Sequence, residues 1–250
     1  MSPYTGRVHA GDVELGYLAH PAAPPEPGGA TRAGVVVVHD VWGLSDHTRD
    51  LARRFAAEGL AALAVNLYRR LPELALEDPG RWIRELSDPG MLAEVQAAVD
   101  FLAGHPAVAG HRVGVVGFCM GGMYALLAAA SCRGLSASVV FYGLLSHAHG
   151  MLHAAGGLDP ARKPREPVAA AAEIRCPLLA FFGEDDEFVP LADVERLRAA
   201  LAGASHPAEV VVCPGAGHAF MNDTRPAAFR PELARRAWSR TLEFLRHELR

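Results

Sequence analysis

The sequence predicts an α/β fold, a doubly wound and mostly parallel sheet with helices on both faces and a short N-terminal β-hairpin. Three observations carry this. The β-branched run Gly34-Val35-Val36-Val37-Val38 has no polar alternation, which suits a strand buried on both faces, as in a parallel sheet. Segments between such runs place apolar residues at helical spacing, as Leu92, Val95, Val99 and Leu102 do. From residue 34 onward strands and helices alternate, the order that builds a parallel sheet from crossover units.

Taken in order, residues 8–18 alternate around Gly11-Asp12 and read as a hairpin, a lid on the sheet, and 21–29, rich in Pro, Ala and Gly, read as a surface loop. After strand 34–39, Asp46 is the expected N-cap of a helix with the stripe Leu51, Phe55 and Leu60, ended at Gly59. Residues 60–67 are the next strand. Prolines at 72, 79 and 89 leave 68–90 as loop with a helical turn near 81–86, before a helix over 91–103. A strand over 112–117, a helix after Cys119 and a strand over 137–142 follow. Residues 143–174 lose all periodicity and form a connection long enough to be a wall or cover of a pocket. Strands at 178–182 and 208–212 and helices at 191–201 and 231–249 complete the pattern. With no internal repeat and no linker, residues 1–250 are expected to be one domain.

Half of the 250 residues are hydrophobic, enough for a sizeable core, and 24 basic against 28 acidic residues are mixed along the chain. That balance gives no electrostatic footprint for nucleic acid or a membrane surface. Without a leader pattern or a long apolar run, a soluble cytoplasmic protein is expected, monomer or homodimer, acting on a small molecule. Cys119, Cys132, Cys176 and Cys213 are too sparse for a disulfide framework, and the last three suit small buried hydrophobes. His147, His149 and His153 lack the spacing of a metal site and read as a polar loop; no metal and no cofactor is expected.

Cys119 differs from the other cysteines. It tops the turn Gly117-Phe118-Cys119-Met120-Gly121-Gly122 between a strand and a helix, where side chains at 117 or 121 would collide with neighbouring backbone. A thiol at a helix N-terminus meets free N–H groups and the positive end of the dipole, which favours a thiolate. Asp186 and His218 also follow strands, 67 and 32 residues further along in turn. Nucleophile, acid, histidine is the chain order of the α/β-hydrolase arrangement. Asp186 is chosen on its spacing to Val189-Pro190, with Asp185 as the alternative.

The elbow, the acid segment Gly183-Glu184-Asp185-Asp186-Glu187-Phe188-Val189-Pro190 and the segment Gly215-Ala216-Gly217-His218-Ala219-Phe220 resemble those of the dienelactone hydrolase family, as does His39-Asp40-Val41-Trp42-Gly43-Leu44. The likeness runs from about residue 8 to the C-terminus. It implies Cys119 as nucleophile, His218 as base and then acid, Asp186 as its orienting carboxylate, and an oxyanion hole from the N–H groups of Met120 and Val41. The implied reaction is hydrolysis of a small ester or lactone through a thioester acyl-enzyme.

Two positions depart from the family pattern. Asp40 stands where the family has a glutamate that restrains the resting thiol; it could equally cap its own turn. Asn222 stands where dienelactone hydrolase itself has an arginine for the substrate carboxylate, and Arg81 or Arg84 are the candidates for a second such arginine. His39 reads as structural, and Trp42 and Tyr142 could line the pocket or belong to the core. Against hydrolysis stand two other readings of the same fold, a non-catalytic protein and a redox-sensing thiol with a second cysteine near Cys119.

Overall fold

A computed structural model describes residues 4–21, 32–71, 76–108 and 112–250. Most of the proline-rich stretch at 21–29 lies outside them, as does Pro72. The strands are β1 (Tyr4–Ala10), β2 (Val13–His20), β3 (Gly34–Val38), β4 (Ala61–Val65), β5 (Val113–Phe118), β6 (Leu135–Phe141), β7 (Leu178–Gly183) and β8 (Ala208–Cys213). They form one sheet in the order β1-β2-β4-β3-β5-β6-β7-β8. From β4 to β8 every pairing is parallel.

The N-terminal hairpin forms as expected, but it is an edge of the sheet and not a lid: β2 pairs antiparallel with β4, Leu18 opposite Leu63. Its inner strand carries Leu15, Leu18 and Ala19 into the core, so burial holds it to the sheet side. At the centre, Val35 to Val38 are wholly buried, each contributing about 1.5–3 kcal/mol of hydrophobic stabilisation.

The helices are α1 (Asp46–Ala57), α2 (Pro79–Glu85), α3 (Asp88–Gly104), α4 (Met120–Ser131), the single turn α5 (Pro167–Ala170), α6 (Leu191–Leu201) and α7 (Pro231–Glu248). Ser45, not Asp46, caps α1, its Oγ accepting from Thr48 N–H at 3.3 Å; Asp46 lies in the first turn, where its charge suits the dipole. α1 buries Leu51, Ala52, Phe55 and Ala56 on one face. α4 is apolar all round and every residue from Met120 to Ala130 is buried, as a helix enclosed on all sides must be.

Residues 143–174 pack their apolar side chains inward while His149 and His153 stay exposed. They contain 3-10 turns at Gly150–Leu152 and Ala171–Glu173, and bury Leu144, Leu145, Leu152 and Val168. The lysine of this connection, Lys163, is fully buried at its side chain, with Nζ 2.5 Å from Asp88 Oδ1 at the start of α3; Tyr124 of α4 donates its hydroxyl to the same oxygen at 2.9 Å. This charge-paired cluster pins the connection to the helix that begins at Cys119. No helix among the described residues is long and apolar enough to cross a membrane.

Candidate active site

The carboxyl ends of β3, β5, β6, β7 and β8 open on one cavity of about 130 Å³. Between β5 and α4 stands Cys119, at φ 55° and ψ −117°. Only close packing holds an L-residue there. A Cβ on Gly117 would come within 1.9 Å of the Gly121 carbonyl oxygen, and one on Gly121 within 2.3 Å of that of Val38, so glycine alone lets the turn close against β3. Cys119 N–H donates to the Phe141 carbonyl at 3.0 Å, tying the elbow to β6. Tyr142 and Ala219, the other non-glycine residues of positive φ among those described, line the same cavity. The backbone strain is thus gathered at one place.

The loops after β7 and β8 are laced together. Asp185 N–H donates to the Ala216 carbonyl at 2.9 Å, and Gly215 N–H to Glu184 Oε2 at 3.0 Å. This brings His218 Nδ1 to 2.8 Å from Asp186 Oδ2. The other carboxylate oxygen accepts Phe188 N–H at 2.9 Å and Val189 N–H at 3.1 Å, so Asp186 cannot turn away. Asp185 points to solvent. Geometry therefore gives the imidazole to Asp186, as the spacing to Val189-Pro190 suggests.

His218 is held edge-on between Tyr142 and Phe188, ring centres 5.1 and 5.0 Å away. Its Nε2 is buried and makes no well-formed hydrogen bond. Burial pulls the imidazole pKa down, but Cys119 beside it and the Asp186 carboxylate outweigh this and raise it to about 10. Cys132, Cys176 and Cys213 are buried thiols whose pKa values burial pushes up to about 11, 12 and 11.

The turn after β3 is pinned from several sides. His39 donates from Nδ1 to the Asp40 carbonyl at 2.6 Å and accepts Leu67 N–H on Nε2 at 3.1 Å, and burial lowers its pKa, so it is a neutral strut. Tyr68 donates its hydroxyl to the Val41 carbonyl at 3.1 Å. The N–H groups of Val41 and Met120 meet no acceptor among the described residues, a free pair of donors. Asp40 caps its own turn, Oδ1 accepting Trp42 N–H at 2.9 Å, and it also lines the cavity.

Trp42, Tyr142 and Asn222 line the cavity, while Arg81 and Arg84 do not. They border a separate surface hollow, Arg81 paired with Glu85 at 2.8 Å and Arg84 donating to the Met151 carbonyl at 2.8 Å, which corrects the expectation that either reaches the site. Met151 brings the 143–174 connection into the cavity wall beside Pro79 and Phe188. The cation that is present comes from a residue the sequence did not single out. Asn222 Oδ1 accepts from Thr224 N–H at 3.0 Å and Thr224 Oγ1 at 2.6 Å, and this turn delivers Arg225 to the cavity. The Arg225 guanidinium lies over the Trp42 ring, 5.2 Å from its centre, and has no carboxylate partner among the described residues. His47, in the first turn of α1, is another lining residue that sequence reasoning missed. No group of three or more His, Cys, Asp or Glu among the described residues could hold a metal ion.

The sequence profile of the Dienelactone hydrolase family matches residues 15–249. The chain belongs to that family. A Methylorubrum extorquens protein named "Putative carboxymethylenebutenolidase" is 31% identical over 246 residues, 95% of this chain and 80% of that one. A Bradyrhizobium protein named "Probable 2-oxo-3-(5-oxofuran-2-ylidene)propanoate lactonase" is 31% identical over 242 residues, 96% of this chain and 91% of its own. Among solved structures, a Klebsiella pneumoniae protein described as "Putative Dienelactone Hydrolase" superposes with a TM-score of 0.78 at 31% identity, covering 96% of each chain. The sheet and its helices are those of the α/β-hydrolase fold.

Proposed function

We propose that the protein hydrolyses small esters or lactones that carry a carboxylate, using Cys119, His218 and Asp186. The observation that carries this reading is the Asp186–His218 pair, 2.8 Å apart, with the imidazole raised to about 10 beside a thiol on a strained elbow. The Cys119 thiolate attacks the carbonyl carbon, and the oxyanion is held by Met120 N–H and Val41 N–H. The C–O bond of the tetrahedral intermediate breaks, leaving a thioester, and the departing oxygen takes the proton from His218 Nε2. His218 then accepts a proton from water as the hydroxide adds to the thioester. The second intermediate expels the thiolate, the product leaves as a carboxylic acid, and Asp186 holds the ring in place throughout. Asp40, with one oxygen tied to Trp42 N–H, is the acid that restrains Cys119 between turnovers.

An anionic substrate follows from Arg225. An unpaired guanidinium stacked on an aromatic ring at a cavity wall is suited to a carboxylate. Pro79, Met151 and Phe188 provide the apolar surface for a flat ring, and the small volume limits the substrate to about one ring with a short arm. The reading is tested with an aryl ester, a neutral lactone and a carboxylated dienelactone on wild type and Cys119→Ala. Loss of all three activities in the variant supports it, and equal rates in the two proteins contradict it.

A further inference from the structure

The Cys119 cavity is lined by a second imidazole, backed by a carboxylate, that the proposed chemistry does not use. His47 lines the cavity from α1, its side chain 10% exposed, and its Nδ1 lies 3.5 Å from Asp223 Oδ1 in the loop after His218. Nδ1 is buried and its hydrogen bond is not formed. The other oxygen of Asp223 is taken by Arg54 Nη2 at 2.5 Å. The imidazole thus faces a carboxylate already half-neutralised by an arginine, on the wall that also presents Arg225. The charges around it are Asp50 and Arg54 on α1, Asp40 in the turn after β3, and Asp223 and Arg225 in the loop after β8.

We propose that His47 is a specificity-determining residue that takes up a proton when a carboxylate enters the cavity, so that the ligand's charge is met by both Arg225 and an imidazolium. This rests on the reading of the substrate as anionic. In the resting enzyme burial lowers the His47 pKa, and Arg54 blunts the help that Asp223 gives. A further negative charge within about 4–6 Å favours the imidazolium over the neutral ring. The Asp223 hydrogen bond then forms on protonated Nδ1, and Nε2–H is left to donate to the ligand. A neutral ester brings no such charge and recruits no proton. Affinity for acidic ligands should therefore climb as the pH falls, while that for neutral ones should not.

The test is isothermal titration of the full-length protein with furan-2-carboxylate at pH 7.5 in two buffers of different ionisation enthalpy. Wild type should take up protons on binding, seen as a binding heat that depends on the buffer. His47→Gln should bind the same anion more weakly and with no uptake. Asp223→Asn, which leaves the imidazole in place, should also lower the uptake, and it keeps the test open if His47→Gln does not fold. Uptake unchanged in His47→Gln, with binding lost in Arg225→Ala, would overturn the role of His47 and leave the anionic reading standing. No binding of furan-2-carboxylate to wild type would overturn that reading and this inference with it.

Discussion

The guanidinium of Arg225 lies 5.2 Å from the centre of the Trp42 ring, and both side chains line the cavity that contains Cys119. Trp42 is 43% exposed, so the pair stands at the mouth, where a substrate arm would pass. Arg225→Ala should raise KM for a carboxylated lactone about 10–100-fold, the value of one charge-assisted hydrogen bond, and leave a neutral aryl ester within about threefold. Steady-state kinetics on the two substrates check this. An equal loss on both would mean that Arg225 supports the wall and does not select charge.

Asp186 and Asp185 are adjacent in sequence and opposite in environment. Asp186→Asn should keep the fold and lower kcat about 10³–10⁴-fold, because the amide no longer stabilises an imidazolium and can favour the wrong tautomer. Asp185→Asn, altering an exposed side chain, should stay within about twofold. Comparable kcat values for the two variants would remove Asp186 from the mechanism.

The raised pKa of His218 has a definite sign. A folded value of about 10 above the ordinary 6.5 means that the bound proton stabilises the native state fully below pH 6.5, progressively less above it, and not at all beyond about 10. kcat/KM should fall as pH rises through about 10, where the leaving oxygen loses its acid. In Cys119→Ala the strongest raising influence is removed, so the His218 pKa should drop. Histidine ring NMR titrations of wild type and variant measure this, and an unchanged value would separate His218 from Cys119.

Lys163 is a stability prediction. Lys163→Met leaves Asp88 buried without its counter-ion and should cost about 3–5 kcal/mol in chemical denaturation, with part recovered in the Lys163→Met/Asp88→Asn double variant. A cost below 1 kcal/mol would mean that the cluster does not fasten the 143–174 connection.

What the sequence made legible was what short-range physics dictates. The Val35 to Val38 run is apolar on both faces and the glycines around Cys119 leave room for a tight turn, so the sheet and the elbow could both be read directly. Asp186 could be preferred to Asp185 because the Val189-Pro190 spacing fixes which side chain turns inward. What required the structure depends on closure in three dimensions. The alternation at 8–18 announces a hairpin but not that β2 pairs with β4. Ser45 and Asp46 both make good caps, and only backbone geometry chooses. Lys163 looks like a solvated loop residue because its partner, Asp88, is 75 residues away. Arg225 belongs to no motif and reaches the cavity only through the turn at Asn222 three residues before it, and a lone histidine in a helix's first turn, such as His47, carries no signal.

The central claim is that Cys119 carries the acyl group. Acid-quenched mixing of the protein with an activated aryl ester, followed by peptide mass spectrometry, tests it most directly. The acyl group should appear as a thioester on the peptide containing Cys119 in wild type, be absent in Cys119→Ala, and persist longer in His218→Gln, where the base for deacylation is missing. Turnover without acylation of Cys119, or acylation of another residue at a rate matching turnover, would contradict the account.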